Sequence, residues 1–522
     1  MNEKSVTSSC SLAWENLKVQ TKKGLPILKD LTGELPAGSL TAILGRSGCG
    51  KTTLMNVLTC NNHDLEATGN IYLNRVPVGS AISNVSAYVR QEDLFVGELT
   101  VLEHLNFRAR IQFSDLEQEE RDRRIQKSLR DFELKEVEHT QIGIPDLKKT
   151  LSGGERKRLS LASEILSDPK ILFCDEPTTG LDSTMAMKVI EVLVNLSKKG
   201  MTIVCSIHQP SSKIISMFSH LILMAKGEFA YFGKYVDSIS FVEKLNRPVP
   251  PLYNPADHFL DILDPNNAEN EDFISSAVDL QRSKIKLSIK NDEKLDNLDY
   301  LNLRPINEVG RISQTCILIR RQLARMIRDP LAVKAKLCEC IFIAIWYGML
   351  YWRRDNAWSN ETFQYSWAQI RDVNGSLLVS LLFVSILFMV MVALRFMVQW
   401  PLLQREVSDK IYRFSSFFIA DNIVTSFFAI VLPFLYSIIA YPLFGLQKSF
   451  MKWLTFYFVL VLESHVCLGV GYCVSSFSPN IDFTIALLPA AIVPLIVFCG
   501  YLLDTSATPP YAGFLKHLSW YG

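Results

Sequence analysis

Gly38-Ser39-Leu40-Thr41-Ala42-Ile43-Leu44-Gly45-Arg46-Ser47-Gly48-Cys49-Gly50-Lys51-Thr52-Thr53-Leu54-Met55-Asn56-Val57-Leu58 joins a short apolar run to a helical one through a glycine-rich turn. Residues 38–45 read as a β-rich strand closing on glycine, and a helical pattern runs from Lys51 to about Leu58. Between them Gly45–Thr52 fits G-x-x-x-x-G-K-[ST], a phosphate-binding loop. Glycines let backbone N–H groups curl round phosphate oxygens, and the helix behind them presents its positive end. Lys51 supplies a point charge for the β- and γ-phosphates, and Thr52 offers a hydroxyl to Mg2+. Contacts to ATP are therefore expected from Gly45, Arg46, Ser47, Gly48, Cys49, Gly50, Lys51, Thr52 and Thr53.

Downstream, Ile171-Leu172-Phe173-Cys174-Asp175-Glu176 is an apolar strand ending in two acids. Alone it is an ordinary strand end; its meaning comes from partnership with Lys51. Asp175 is placed to hold Mg2+, directly or through water, and Glu176 to orient or deprotonate the attacking water. Leu151-Ser152-Gly153-Gly154-Glu155 opens a helix expected over 152–167, which makes a second anion cradle. Two cradles per chain make sense if each ATP is sandwiched between the phosphate loop of one domain and the Ser-Gly-Gly cradle of another. Gln91 follows the run Ser86–Arg90 and His208 follows Thr202–Ile207, so both sit at strand tips, the edge of a parallel sheet where ligands bind. With helix-favouring stretches at 98–135 and 183–199, strands and helices alternate, which predicts a largely parallel sheet covered on both faces.

The chain has 522 residues, 48% of them hydrophobic, and a formal net charge of +1. That balance gives no support to a polyanion-binding surface, and no nucleic-acid partner is expected. Eleven cysteines show no C-x-x-C spacing, so neither a metal site nor a disulfide framework is read. Met1–Leu12 is polar and lacks the apolar core of a signal peptide, so insertion into a membrane is expected through an internal helix. The apolar residues are concentrated late. Five segments, 333–352, 376–394, 421–444, 451–474 and 482–503, approach or exceed the roughly 20 residues that cross a hydrocarbon core. Before them, 264–310 is a polar stretch read as a mobile linker. Residues 311–330 form an amphipathic connecting helix, with Ile312, Cys316, Leu323 and Ile327 at helical spacing beside Arg320, Arg321, Arg325 and Arg328. The expectation is that this helix lies on the membrane surface, the alternative being that it packs on the soluble domain. Basic residues before the first span and between the second and third put those loops and the N-terminal domain in the cytosol. Asn360, in a sequon between the first two spans, is then a candidate N-glycosylation site on the outside. Glu463 and His465 are ionisable residues inside the fourth span.

Taken together, these motifs resemble the nucleotide-binding domain of ABC transporters. Walker A (Gly45–Thr52), the Q-loop glutamine (Gln91), the signature (Leu151–Glu155), Walker B (Ile171–Glu176), the D-loop (Gly180-Leu181-Asp182) and the switch histidine (His208) follow in family order. LSGGERKRLSLASEIL, DEPTTGLDS, SIHQPSS and NPADHFLDIL (254–263) are similar to the G subfamily of half-transporters, the group of the eye-pigment-precursor and sterol transporters. Arg405-Glu406 with Tyr412-Arg413-Phe414-Ser415 resembles the segment leading from its second span to its third, with Lys410 where glycine is more usual.

The resemblance implies an α/β P-loop ATPase domain over 1–263, the linker and connecting helix, and an all-α polytopic bundle over 331–522. It implies ATP and Mg2+ as cofactors and Thr52, Gln91 and Asp175 as the metal shell. Glu176 would be the catalytic base, and His208 would contact the γ-phosphate. Ser152, Gly153, Gly154 and Glu155 would close on the partner's ATP, and Asp182 would be the D-loop aspartate. The partner would be another half-transporter, in a homo- or heterodimer set in membrane lipid, at the plasma membrane or an organelle. The cargo would be a hydrophobic or aromatic small molecule, a lipid, sterol or pigment precursor. The family has six spans against five here, and Ser519-Trp520-Tyr521-Gly522 matches wording that in the family precedes the last span. A fragment, or a truncated ATP-binding subunit that regulates a full-length partner without transporting, is the alternative expectation.

Overall fold

The computed structural model describes residues 9–61, 65–113, 116–143, 151–288, 309–352 and 367–497. Asn360 and the end of the expected fifth span lie outside them. The chain divides into two compact units, Met1–Val309 and Gly310–Gly522.

The first unit holds two sheets. One is antiparallel, in the order β2-β1-β4-β5, from Leu12–Thr21 (β1), Pro26–Leu35 (β2), Leu65–Leu73 (β4) and Val76–Pro77 (β5). The other has the order β10-β9-β3-β8-β7-β6. Its strands are Leu40–Leu44 (β3), Ser86–Val89 (β6), Ile171–Asp175 (β7), Thr202–Ser206 (β8), His220–Ala225 (β9) and Glu228–Lys234 (β10). β9, β3, β8, β7 and β6 run parallel, and β10 adds an antiparallel edge. All five residues of β3, β7 and β8 are buried, the near-continuous apolar pattern of parallel strands covered on both faces.

The helices of this unit are Lys51–Leu58 (α1), Val101–Gln112 (α2), Gln118–Asp131 (α3), Gly153–Ile165 (α4), Ser183–Lys198 (α5), Ser212–Ile215 (α6), Tyr235–Lys244 (α7), Pro255–Ile262 (α8) and Glu271–Ser288 (α9). α1 is wedged between the sheets. Its Leu54, Met55, Val57 and Leu58 share one apolar cluster with Leu12 and Trp14 of the antiparallel sheet and with Phe173 and Val204 of the parallel one. Each such fully buried side chain contributes about 1.5–3 kcal/mol, so the element that carries the phosphate loop is fixed from both sides.

Part of the stretch read as a mobile linker is ordered. α9 buries Phe273, Ile274, Ala277 and Val278, while Gln281 donates to the Phe232 carbonyl at 3.1 Å and Arg282 pairs with Glu228 at 2.5 Å. A narrow apolar stripe suffices to hold a helix whose other faces are polar.

The second unit begins with Arg311–Arg328 (α10), followed by Pro330–Leu350 (α11), Trp367–Ser408 (α12), Phe414–Leu443 (α13), Phe450–Phe477 (α14) and Ile481–Val497 (α15). Helices thus occupy the first four apolar segments and the fifth as far as Val497. Three stretches, Ile370–Ser408, Phe414–Leu443 and Phe450–Phe477, are long and apolar enough to cross a membrane by length and composition. α11 carries Lys334, Lys336 and Glu339 in its first half, and α15 is described only to Val497.

One expectation here is corrected. The segment after Leu394 is no loop but a continuation of α12 to Ser408, through Pro401. The connecting helix turns outward the apolar residues expected to meet a membrane surface. Ile312 and Ile327 are 82% and 72% exposed, and the buried face is Gln314, Leu318, Arg321 and Gln322. That face is polar because its partners are polar. The Gln314 carbonyl oxygen accepts from the Arg413 backbone N–H at 3.3 Å and the Ser416 hydroxyl at 3.2 Å, and Arg321 pairs with Glu406. Lys410, noted as standing where glycine is more usual, has φ 55° in the turn between α12 and α13, a left-handed conformation that explains the preference.

Candidate functional site

Four parallel strands end at one edge, and their successors form the site. After β3, Gly45–Gly50 turns back on itself, with Gly48 at φ 81° and Gly50 at φ 105°. Side chains are unwelcome here: a Cβ on Gly45 would come 2.4 Å from the Met224 carbonyl oxygen. Lys51 is 7% exposed, and its ammonium donates to the carbonyls of Gly45 at 2.7 Å and Arg46 at 3.2 Å. The loop's own oxygens thus satisfy its lysine. Cys49 is buried beside it, and burial raises its thiol pKa despite the nearby Lys51 charge, so it stays an uncharged filler. Thr53 is half-buried behind the loop.

β7 delivers two carboxylates. The Asp175 Oδ1 accepts from the Thr52 hydroxyl at 3.4 Å and the Ser206 hydroxyl at 2.5 Å, and its Oδ2 accepts from the Tyr88 hydroxyl at 3.2 Å. Burial and the Asp175 charge hold the Tyr88 phenol far above its ordinary pKa, which keeps it a donor. Glu176 has φ 46°, a kink that takes its side chain out of the strand line. Its N–H is anchored on Ser206 Oγ at 2.9 Å. Its Oε2 accepts from Gln91 Nε2 at 3.0 Å and Thr179 Oγ1 at 3.0 Å. Gln91, expected in a metal shell with Thr52 and Asp175, thus lies beside Glu176 at the same sheet edge.

His208 is exposed at the end of β8 and lines an open cleft with Arg46, Ser47, Gly180 and the segment from Tyr253 to Asn266. Asp182 caps α5, accepting from the Met185 N–H at 2.8 Å. Ser152 caps α4 in a reciprocal box: its hydroxyl accepts from the Glu155 N–H at 3.3 Å, and the Glu155 carboxylate accepts from the Ser152 N–H at 2.8 Å. Gly153 is exposed and Gly154 packs on Met185, where a Cβ would come 3.1 Å from its sulfur. No hydrogen bond among the described residues joins 152–155 to 45–53. The structure gathers the phosphate loop, Gln91, Asp175, Glu176 and His208 at one edge, and α4, which the second cradle opens, reaches that edge through Lys157, whose ammonium donates to the Gln91 carbonyl at 2.9 Å.

Thr52 and Asp175 offer a hydroxyl and a carboxylate side by side, oxygen donors suited to a hard cation that takes its remaining ligands from phosphate and water. Ser206, Tyr88 and Thr179 are site residues that the sequence reading missed. Ser206 carried a signal, a hydroxyl closing an otherwise apolar buried strand.

Residues 28–179 match the ABC transporter family, and residues 313–522 and 208–291 match families described as ABC-2 type transporter. The chain is 34% identical to the ABC transporter ATP-binding protein/permease wht-1 of Caenorhabditis elegans, over 99% of this chain and 82% of that one. It is 31% identical to protein white of Drosophila melanogaster, over 95% of this chain and 73% of that one. Protein scarlet of the same fly is also 31% identical, with 98% and 78% covered. The chain is a G-subfamily ABC half-transporter. Its first unit is an ABC ATPase domain coupled to transport, and its second is a helical membrane domain.

Proposed function

We propose that the half-transporter hydrolyses Mg·ATP at a site shared between two chains and uses the cycle to move a hydrophobic or aromatic small molecule, a lipid, sterol or pigment precursor. The observation that carries this reading is the convergence of Lys51, Thr52, Asp175, Glu176 and Gln91 at the ends of β3, β7 and β6. Triphosphate entering the loop draws Lys51 away from the Gly45 and Arg46 carbonyls. Thr52 and Asp175 would hold Mg2+, which when bound would supply positive charge to offset that of the phosphate oxygens. Glu176 takes the proton of the attacking water once Gln91 and Thr179 yield their hold on its carboxylate, and His208 steadies the γ-phosphate from the cleft side. Ser152, Gly153 and Gly154 of the partner chain, whether the same or a sister half-transporter, cover the nucleotide with the start of α4, and Asp182 lies at the seam. The ATPase domain sits in the cytosol and the helices in the plasma membrane or an organelle membrane. The apolar, aromatic-rich character of α12, α13 and α14 supports the cargo class.

The test is Glu176→Gln in the reconstituted full chain. ATP binding is expected to persist while phosphate release falls at least about 100-fold, the usual weight of general acid–base catalysis. Unchanged turnover would remove Glu176 from the chemistry. Stimulation of ATPase by candidate lipids or aromatic metabolites then identifies the cargo class.

A further inference from the structure

The segment NPADHFLDIL and the aspartate after it span the open side of the cleft, and nothing above gives them a task. Asn254 grips the turn that follows His208. Its Nδ2 donates to the Pro210 carbonyl at 2.9 Å, and its Oδ1 accepts from the Ser212 hydroxyl at 3.0 Å and from the Ala256 N–H at 3.3 Å. α8 follows as a seated rod, with Ala256, Phe259, Ile262 and Leu263 all at 5% exposure or less. At its far end Asp264 is held in place: Oδ1 accepts from the Asn266 N–H at 3.1 Å, and the backbone carbonyl accepts from Asn270 Nδ2 at 3.3 Å. Its remaining oxygen, Oδ2, takes the guanidinium of Arg46 in an ion pair. One short helix therefore ties the phosphate loop at one end to the His208 turn at the other.

Arg46 belongs to the loop whose backbone cradles phosphate, and guanidinium binds carboxylate and phosphate with the same planar fork. Asp264 and a nucleotide phosphate compete for that fork. The loop's other cation, Lys51, is likewise spent on internal oxygens. Resting on the nucleotide reading of residues 45–53, we infer that Asp264 is a positioning residue that holds Arg46 off the phosphates until triphosphate displaces it. Release of Arg46 removes one of the holds on the far end of α8 and loosens it, so the His208 turn senses an occupied loop through Asn254.

The experiment measures ATP affinity of the full chain in nanodiscs by displacement of a fluorescent ATP analogue, with AMP as control. Asp264→Asn is expected to tighten ATP about two- to fivefold, the range of a solvent-screened ion pair, and to leave AMP unchanged. Arg46→Ala, at a side chain 48% exposed, binds ATP more weakly, and adding Asp264→Asn to it brings no further gain. Asp264→Ser, which keeps an oxygen for the Asn266 N–H without the charge, reproduces the asparagine result. In hydrogen exchange, ATP loosens residues 257–264 of the unaltered protein, and Asp264→Asn shows that loosening without ATP. Unchanged or weaker ATP affinity in both Asp264 variants, or an equal gain in the Arg46→Ala background, overturns the inference. Lys51→Ala separates the two levels. If it retains full ATP affinity, the nucleotide reading fails; if it loses binding while Asp264→Asn changes nothing, the Arg46 hold alone fails.

Discussion

Replacing Arg321 with alanine is expected to destabilise the membrane unit far more than any other single change on the connecting helix. The Arg321 and Glu406 side chains are 5% and 7% exposed, and one guanidinium nitrogen spans both carboxylate oxygens at 2.8 and 2.9 Å. The second terminal nitrogen donates to the Tyr412 hydroxyl at 3.1 Å, and that hydroxyl donates to Glu406. Burial alone would depress the Arg321 pKa, but attraction from Glu406 outweighs it, and the same burial with the Glu406 charge holds the Tyr412 phenol well above its ordinary value. Arg321 and Tyr412 therefore keep their protons through the physiological range. Arg321→Ala strands a buried carboxylate, and breaking a buried pair in this way costs about 3–5 kcal/mol. Tyr412→Phe removes hydroxyl bonds to charged groups and costs about 1.5–3 kcal/mol. Replacing both charges, in Arg321→Met with Glu406→Leu, removes the stranded charge and is expected to cost less than either single change, because such pairs often exchange for apolar ones near neutrality. Thermal unfolding in detergent, with Arg320→Ala as the exposed control, measures the series. If Arg321→Ala costs no more than Arg320→Ala, or if the double variant loses as much as the sum of the singles, the buried triad is not what fixes α10 to the turn after α12.

Two further outcomes follow from local geometry. Lys410→Gly relieves a left-handed residue with an exposed side chain and is expected to raise unfolding stability by about 1 kcal/mol; a loss would mean that the lysine makes a compensating contact. Burial, aided by the Lys234 charge, holds the His220 pKa below its ordinary 6.5 in the folded ATPase domain. The unfolded chain then binds the proton more readily, so stability is full above about pH 6.5 and declines as pH falls toward the folded pKa. His220→Gln is expected to flatten that decline in urea titrations at stepped pH.

What was legible in the sequence was whatever is encoded locally. Gly45–Thr52 declared itself because only glycine tolerates φ 81° and 105° and a carbonyl 2.4 Å from its Cβ position. The apolar runs of β3, β7 and β8 could be seen because every residue in them is buried. The antiparallel sheet was not legible, since β1 bulges at Asn16 (φ 50°). The register shifts between Trp14 and Leu17, breaking the two-residue alternation that marks a half-buried strand. α9 was hidden by averaging, its apolar stripe too narrow to lift a polar segment. The buried face of α10 was not legible either, because it is chosen by Glu406, Tyr412 and Arg413, all distant in sequence. Ser206 and Tyr88 belong to the site only because neighbouring parallel strands bring them to Asp175, a pairing no local pattern contains.

The most direct test of an ATP-driven pump subunit is phosphate release from Mg·ATP by the full chain in a bilayer, with and without Lys51. The reconstituted protein is expected to hydrolyse ATP, and Lys51→Ala to reduce both nucleotide binding and phosphate release to background. Equal release by the two proteins would mean that the loop at 45–53 does not hold the nucleotide being hydrolysed.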